Sequence, residues 1–162
     1  MSVEPVRKVV VMILHDDEGR ILLQHRTDDA PYMPGRWAYF GGGIEEGETP
    51  EQALLRETEE ELGYTPVRPV LIREALFDLE GAPGHLHISI YLEHFRGNKN
   101  DLELREGQGW GWFSEREIAS LDMQPRDESV AHTAFGRLRG PGEAEVTGGR
   151  APVQDAPPTG IT

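Results

Sequence analysis

The feature that most constrains this chain is a glycine- and glutamate-rich stretch, residues 41–64, which reads GGGIEEGETPEQALLRETEEELGY. Eight of its 24 residues are glutamate. Thr49, Pro50 and Gln52 predict a helix start, because threonine caps well, proline suits the first helical position and glutamine completes a capping box. Gly63 predicts the helix end. The stretch therefore predicts a helix of roughly 13 residues that follows a glycine-rich segment.

Helical spacing divides the predicted helix into an apolar side and an acidic side. At about 100° per residue, one arc is expected to face the core. That arc consists of Leu54, Leu55, Thr58 and Leu62. Glu57, Glu60 and Glu61 fall on the neighbouring arc. Carboxylates three and four residues apart repel each other by roughly a few tenths of a kcal/mol per pair, and a divalent cation would relieve that repulsion.

Two interpretations of the acidic side are open at this point. In the first, it is a solvated helix face, as charged runs commonly are. In the second, it binds a hard cation such as Mg²⁺ or Mn²⁺, because the chain contains no cysteine and the stretch offers oxygen ligands. Gly41, Gly42 and Gly43 favour the second interpretation, since a glycine backbone can approach a ligand closely.

These residues carry a family resemblance. Gly42, Glu48 and the segment RETEEELGY from Arg56 to Tyr64 occur at a spacing that resembles the Nudix box, the signature of the Nudix hydrolases. The charged and glycine positions of that pattern are filled, and Thr58 departs from it because an aliphatic residue is usual there. The resemblance implies an α+β Nudix fold, an α/β/α sandwich with a central mixed, mainly antiparallel sheet.

The resemblance also implies how the box would act. Water would attack a phosphorus atom of a diphosphate bridge while Mg²⁺, or Mn²⁺ as a substitute, holds the phosphates and offsets the developing charge. Glu48 and Arg56 would form a supporting ion pair. The implied metal ligands are Gly42 (through its carbonyl), Glu57, Glu60 and Glu61. The glutamate that acts as base differs among Nudix groups, so that role stays open.

Glu106 is the candidate for a further metal ligand or base. The segment Arg105–Trp112, REGQGWGW, resembles the part of MutT-type Nudix enzymes in which a loop supplies such a glutamate. The alternatives are that Glu106 is an ordinary surface glutamate, or that Glu103 takes the role instead.

Three further residues are candidates for contacting the substrate. The resemblance places Arg26 near the phosphates or the base, with a salt bridge at the rim as the alternative. It places Asp127 where MutT-type enzymes read the base, although an aspartate donates a hydrogen bond only when protonated; the alternative is that Asp127 caps the last helix. Tyr39, like Trp37 and Phe40, could stack on a nucleobase or belong to the core, and the core is favoured for Phe40.

Length and charge limit the partners of the chain. Its 162 residues suffice for one domain with a core of its own. The formal net charge of −13 argues against a nucleic-acid polymer, whose phosphates would be repelled, and is compatible with a small nucleotide whose charge metal ions offset. The apolar run near the N-terminus is too short to span a bilayer. A cytoplasmic protein without a membrane partner is expected, and a homodimer is left open.

The order of the predicted elements brings the acidic helix against a sheet. Extended segments are predicted at residues 8–14, 20–26, 37–40, 67–79, 85–95 and 110–113, and further helices at residues 114–121 and 128–138. In residues 85–95, alternation predicts that one face lies in the core. The Nudix domain is expected to span residues 1–139, and residues 140–162 are expected to form a disordered tail rich in proline and glycine.

The favoured function is Mg²⁺-dependent hydrolysis of a nucleoside diphosphate linked to another group, in the first place a (d)NTP or a modified nucleotide. Residues 79–82, LEGA, lack the proline of the ADP-ribose type and the tyrosine of the dinucleoside-polyphosphate type. Two alternatives are kept. One is an ADP-ribose or nucleotide-sugar pyrophosphatase. The other is a catalytically silent Nudix domain that senses nucleotides, which would be free to lose the glutamates that this chain retains.

Overall fold

Seven strands and three α-helices are present in residues 6–79 and 83–140, the part of the chain that the computed structural model describes. The strands are β1 (Val6–His15), β2 (Ile21–His25), β3 (Trp37–Ala38), β4 (Phe40–Gly43), β5 (Val70–Asp78), β6 (His85–His94) and β7 (Gly109–Phe113). The helices are α1 (Pro50–Leu62), α2 (Glu115–Ile118) and α3 (Pro125–Arg139), and a 3₁₀ turn spans Lys99–Asp101. Apart from Gly140, the predicted tail lies outside the described residues.

The strands form one mixed sheet in the order β3-β2-β1-β6-β5, with β4 paired to β1 and β7 paired to β2. Strands β1 and β6 are parallel along their whole length. The other described pairings are antiparallel. Since parallel neighbours cannot be joined by a tight turn, the chain between β1 and β6 carries α1 and the glycine strand β4. The sheet is therefore mixed and mainly antiparallel, as the resemblance implies.

Helices cover both faces of the sheet. On one face, α1 packs on β1, β4 and β6 around a core that contains Val10, Met12, Leu14, Phe40, Leu54, Leu62 and Tyr91. On the other face, α2 and α3 pack on a core that contains Ile13, Leu23, Tyr39, Ile88, Ile90, Ile118, Val130 and Phe135. The predicted α/β/α sandwich is confirmed. No described helix is both long enough and apolar enough to cross a bilayer.

Local sequence signals set the ends of α1. The Thr49 hydroxyl accepts from the Gln52 amide at 3.1 Å, and the Gln52 side chain accepts from the Thr49 amide at 2.9 Å, so the predicted capping box is present. Gly63 ends the helix with a φ of 65°. Leu55 was expected on the core-facing arc, and that expectation is wrong, because its side chain is 43% exposed. Thr58 is buried, and its hydroxyl finds no hydrogen-bond partner among the described residues.

Two strand predictions need correction. The predicted segment 37–40 is divided between β3, which pairs with β2, and β4, which pairs with β1. In β6, the alternate residues Ile88 and Ile90 lie in the core as predicted, but Tyr91 and Glu93 on the other face are buried as well. Strand β6 has neighbours on both sides and a packed layer on both faces, so alternation between apolar and polar residues does not report exposure there.

Candidate active site

The glycines of β4 lie directly against the acidic side of α1. The amide of Gly41 donates a hydrogen bond of 2.9 Å to Oε1 of Glu61. A Cβ atom at Gly42 would lie 2.5 Å from a carboxylate oxygen of Glu57, which is closer than real contacts allow. Glycine at position 42 therefore leaves the space that the Glu57 carboxylate occupies.

Arg56 connects the loop before α1, the glycine strand and the acidic side of the helix. Its guanidinium donates to both carboxylate oxygens of Glu48, at 2.7 and 2.9 Å, and the pKa of Glu48 is lowered to about 2 by this bond. It also donates to the carbonyl of Gly43 at 3.0 Å and to Glu57 at 2.8 Å. The expected Glu48–Arg56 ion pair is thus present, and it fixes the position of the Glu57 carboxylate. Such a two-oxygen contact requires the planar fork of arginine.

Glu61 is the most deeply buried carboxylate of the box, with 6% of its surface exposed. The pKa of Glu61 is raised to about 9, chiefly by burial and also by the nearby charges of Glu106 and Glu57, while the hydrogen bond from the Gly41 amide opposes the shift. Glu60 differs from both, because its side chain is 59% exposed at the edge of the group. Arg56 offsets the charge of Glu57, whereas the charges that act on Glu61 are those of two carboxylates, so a cation would stabilise the ionised form of Glu61.

The charge of Glu106 acts on Glu61, and the loop that carries Glu106 is anchored on both sides. On one side, the Arg105 amide donates to the carbonyl of Glu61 at 2.9 Å. On the other side, Gly107 adopts a φ of 89°, and the Gln108 amide donates to a backbone carbonyl of β2 at 2.7 Å. Glu103, the alternative to Glu106, holds Arg105 at 2.7 Å instead.

A divalent cation fits the donor chemistry of this site. The carboxylates of Glu57, Glu61 and Glu106 and the carbonyl of Gly42 are the oxygen donors that Mg²⁺ and Mn²⁺ prefer. The close contact between Glu57 and the bare Gly42 backbone brings a carboxylate and the main chain together without a side chain between them. Within residues 6–79 and 83–140, no three His, Cys, Asp or Glu side chains are arranged as a ready set of ligands. The residues thus fit the ion by the type of ligand they offer, and binding of an ion would require their side chains to move.

A second polar cluster surrounds Asp127 in the first turn of α3. Asp127 is 5% exposed, and burial raises the pKa of its carboxyl to about 6, although the charges of Arg126, Arg26 and Arg36 lower it. The Tyr39 hydroxyl donates to the backbone carbonyl of Asp127 at 2.6 Å. The alternative that Asp127 caps α3 is wrong, because the capping position before Pro125 is Gln124.

The three predicted substrate contacts lie close together, though not in the same way. Arg26 donates from Nε to the carbonyl of Tyr32 at 2.7 Å and remains near Asp127. Tyr39 is buried in the core together with the half-buried Trp37, while Phe40 points to the core on the opposite face of the sheet. Tyr39 therefore has little free surface for stacking, and its visible contribution is to hold the backbone at Asp127.

A cavity of about 430 Å³ opens beside this cluster. It is lined by Arg36, Phe77, Asp78, Leu79, Gln124, Pro125 and Arg126. The buried Nε of Arg126 has no hydrogen-bond partner among the described residues. Sequence reasoning missed Arg36 and Arg126. Pro125 was a weak sequence signal, because proline often occupies the first position of a helix. It indicates that Arg126 and Asp127 lie in the first turn of α3.

The fold is an α/β/α sandwich in which an acidic helix packs on a glycine strand, and an arginine connects the two. Known proteins identify the class to which this arrangement belongs. A family model described as NUDIX domain matches residues 5–134. The chain therefore belongs to the Nudix family, and the family predicted from the Gly42–Tyr64 stretch is confirmed.

Relatives and solved structures agree with this assignment. The chain is 46% identical over 142 residues to "Nucleoside triphosphatase NudI" of Escherichia coli O139:H28 (strain E24377A / ETEC), covering 83% of this chain and 97% of that protein. It is 30% identical over 123 residues to "8-oxo-dGTP diphosphatase" of Escherichia coli (strain K12), covering 76% and 92%. The crystal structure of MutT protein from Methanosarcina mazei Go1 superimposes with a TM-score of 0.70 at 20% identity, covering 86% and 99%, and bears on the fold alone. The predicted enzyme class, a Nudix pyrophosphohydrolase, is confirmed by the family and these relatives.

Proposed function

We propose that this protein is a Mg²⁺-dependent pyrophosphohydrolase that cleaves a diphosphate bond of a (d)NTP or a modified nucleotide. The observation that carries the proposal is the contact between the α1 carboxylates and the bare backbone of β4. Two relatives support the substrate class, since one is named a nucleoside triphosphatase and the other an 8-oxo-dGTP diphosphatase.

In this proposal, the metal would be held by the Gly42 carbonyl and by the carboxylates of Glu57, Glu61 and Glu106. Glu60 would face the metal from the exposed edge of the group. Bound Mg²⁺ would supply the positive charge that grips the phosphates and offsets charge in the transition state. Arg56 takes no part in the chemistry. It holds Glu57 in place while Glu48 and the Gly43 carbonyl hold Arg56.

A carboxylate of this group receives the proton of the attacking water. Glu61 binds a proton strongly as the structure stands, because burial and the neighbouring charges raise its pKa. Positive charge near Glu61 would lower its affinity for the proton and return it to the ionised form. Glu57, Glu61 and Glu106 are then the candidate bases. Single substitutions of each to glutamine distinguish their roles.

The nucleoside end of the substrate is assigned to the cluster around Asp127 and the adjacent cavity. Arg26 would contact a phosphate or the base. An ionised Asp127 accepts hydrogen bonds from a base edge, and a protonated Asp127 also donates one. Tyr39 supports this arrangement through its bond to the Asp127 backbone. The cavity of about 430 Å³ lies within the size range of small-ligand sites.

A release assay tests the proposal. Purified protein is incubated with (d)NTPs, oxidised nucleotides, ADP-ribose, nucleotide sugars and dinucleoside polyphosphates, with Mg²⁺ or with EDTA, and phosphate and pyrophosphate are measured. Turnover of a nucleoside triphosphate with Mg²⁺ and its loss with EDTA are expected. Preference for ADP-ribose or a nucleotide sugar would support the alternative pyrophosphatase. Binding of nucleotides without turnover of any of them would support a silent sensor.

The same proposal covers the partners. A small nucleotide, rather than a nucleic-acid polymer, suits a chain with a formal net charge of −13. The cytoplasmic location and the homodimer stay predictions.

A further inference from the structure

Helix α1 ends in a turn that is electrostatically unfavourable. Glu59, Glu60 and Glu61 follow one another there, and the last turn of α1, all of it described, contains no basic residue. The C-terminal end of a helix carries a partial negative charge, so carboxylates at this end are destabilising and cations are stabilising. A compensating positive charge therefore has to come from elsewhere in the chain.

Arg105, in the loop between the 3₁₀ turn and β7, supplies that charge. Its Nη1 donates to the Glu59 carbonyl at 3.0 Å, and its own amide donates to the Glu61 carbonyl at 2.9 Å. The amide of Glu103 donates to the Leu62 carbonyl at 2.9 Å, and its carboxylate holds the Arg105 guanidinium at 2.7 Å. The loop thereby satisfies the Glu61 and Leu62 carbonyls, which the end of the helix leaves without intrahelical partners, and gives the Glu59 carbonyl a second donor beside the Gly63 amide.

Gly63 permits this contact. A Cβ atom at Gly63 would lie 3.0 Å from Nη2 of Arg105, so the guanidinium lies against the glycine backbone. Gly63 also has a φ of 65°, which favours glycine on its own account. The end of α1 is thus shaped to receive an arginine from the loop.

We propose that Arg105 is a positioning residue, which fixes the adjacent Glu106 beside Glu61 by clamping its loop to the end of α1. This inference rests on the proposed function, in which Glu106 is a metal ligand or base. Glu106 lies between two anchored points, because Arg105 is bonded to α1 on one side and Gln108 is bonded to β2 on the other. Without the Arg105 side chain, the backbone bonds remain and the loop gains freedom where it carries Glu106.

A stabilising ion pair alone would behave differently. The Arg105 side chain is 42% exposed, and ion pairs at such exposed positions contribute little to stability. Loss of Arg105 should therefore leave the fold nearly unchanged and act on Glu106. Stability and metal affinity respond differently in the two cases, so both are measured.

The test measures Mn²⁺ affinity without nucleotide, from the electron paramagnetic resonance signal of free Mn²⁺, in the full chain. Arg105→Ala is expected to weaken Mn²⁺ binding roughly tenfold, as loss of a residue that orients a ligand does. Arg105→Lys should give a smaller loss, because it retains the charge without the fork. Arg116→Ala removes an exposed arginine of α2 with the same change of charge, and should bind Mn²⁺ as wild type does. Thermal unfolding of each variant confirms that it is folded.

A double-mutant cycle with Glu106→Gln makes the test specific. If Arg105 acts through Glu106, Arg105→Ala should add little to the loss caused by Glu106→Gln. The proposal would be overturned if the double variant lost Mn²⁺ affinity by the product of the two single losses. It would also be overturned if Arg105→Ala or Glu106→Gln bound Mn²⁺ with unchanged affinity. Turnover by the wild-type protein is assayed separately. If the wild-type protein showed no turnover while the double-mutant cycle still coupled Arg105 to Glu106, the proposed function would be overturned. The positioning of Glu106 by Arg105 would then still stand.

Discussion

At the scale of single residues, the central feature is a carboxylate placed where its charge is disfavoured. Glu61 is buried, keeps one hydrogen bond from the Gly41 amide and lies near two other carboxylates. A structural ion pair would have given it a basic partner. The arrangement instead suits a group whose charge is balanced by a ligand that comes and goes.

Glu61→Gln tests this role. Glutamine keeps nearly the same volume and an oxygen that can accept from the Gly41 amide, so the free energy of unfolding at pH 7 should stay close to that of wild type. The rate of turnover should fall roughly a hundredfold or more, which is the loss typical of removing one group that stabilises transition-state charge. Glu46→Gln, an exposed substitution in the same stretch, is the matched control. Full activity of Glu61→Gln with Mg²⁺ would contradict the assigned role.

Asp127 gives a prediction about pH and stability. Its pKa is about 6 in the folded chain against an ordinary value of 3.8, so the folded state binds the proton more tightly than the unfolded state. The stabilisation by that proton is present below pH 4 and is lost as pH rises through 6. Asp127→Asn, which stays neutral, should match wild type near pH 4 and be more stable by up to about 3 kcal/mol at pH 7.5.

Denaturant unfolding of wild type and Asp127→Asn at the two pH values measures this difference. Asp29→Asn, at an exposed position, is the control and should show the same stability as wild type at both. An equal loss of stability in Asp127→Asn at pH 4 and pH 7.5 would mean that Asp127 is held as an ionised partner of the surrounding arginines, contrary to the direction of its pKa.

At the scale of elements, strand β4 brings two adjacent glycines into different surroundings. A Cβ atom at Gly42 would collide with the end of the Glu57 side chain, which can rotate away. A Cβ atom at Gly41 would overlap the backbone carbonyl of Val10 in the next strand, at a φ of +144°, where neither part can move. One glycine therefore serves the site and the other serves the fold.

Substitution of these glycines by alanine should separate the two roles. Gly42→Ala should fold with a midpoint of thermal unfolding close to that of wild type and lose most of its activity, because Glu57 is displaced. Gly41→Ala should lose several kcal/mol of stability, on the order expected for overpacking combined with a strained backbone. Circular dichroism melts and turnover assays compare the two variants. A Gly42→Ala variant with wild-type activity would show that the position of Glu57 is immaterial.

The elements also show what a sequence can predict and why it stops. The ends of α1 were predictable because Thr49, Gln52 and Gly63 act on their own backbone neighbours. The exposure of Leu55 was not, since the width of the sheet beneath α1 depends on strands distant in sequence. Likewise, nothing local to Arg105 indicates that it would cap α1, although the run of glutamates without a basic residue at the helix end was a signal that a partner was needed.

At the scale of the whole molecule, charge and topology act together. The family signature implied the mixed sheet, but the β1–β6 parallel pairing joins residues about eighty positions apart and has no local signal. Contacts between residues distant in sequence also bring Arg26 and Arg36 near Asp127 in the first turn of α3. The formal net charge of −13 favours cation binding, and divalent cations are expected to bind at the acidic side of α1 in preference to monovalent ones.

Thermal unfolding with and without Mg²⁺ measures that expectation. A ligand at 100 times its Kd stabilises the folded state by about 2.7 kcal/mol. Mg²⁺ should therefore raise the midpoint of wild type by roughly 5–10 °C, and should raise that of Glu61→Gln much less. NaCl at the same ionic strength is the control. An equal rise in NaCl would show that general screening of the net charge, rather than a specific site, is responsible.

Diffraction from crystals soaked in Mn²⁺, recorded near the manganese absorption edge, is the most direct measurement of whether α1 holds a catalytic cation. The predicted result is an anomalous peak between the carboxylates of Glu57 and Glu61 and the backbone of Gly42, which weakens in Glu61→Gln crystals. A map without any peak there, in crystals whose Mn²⁺ occupies other sites, would contradict the role of the acidic helix in hydrolysis.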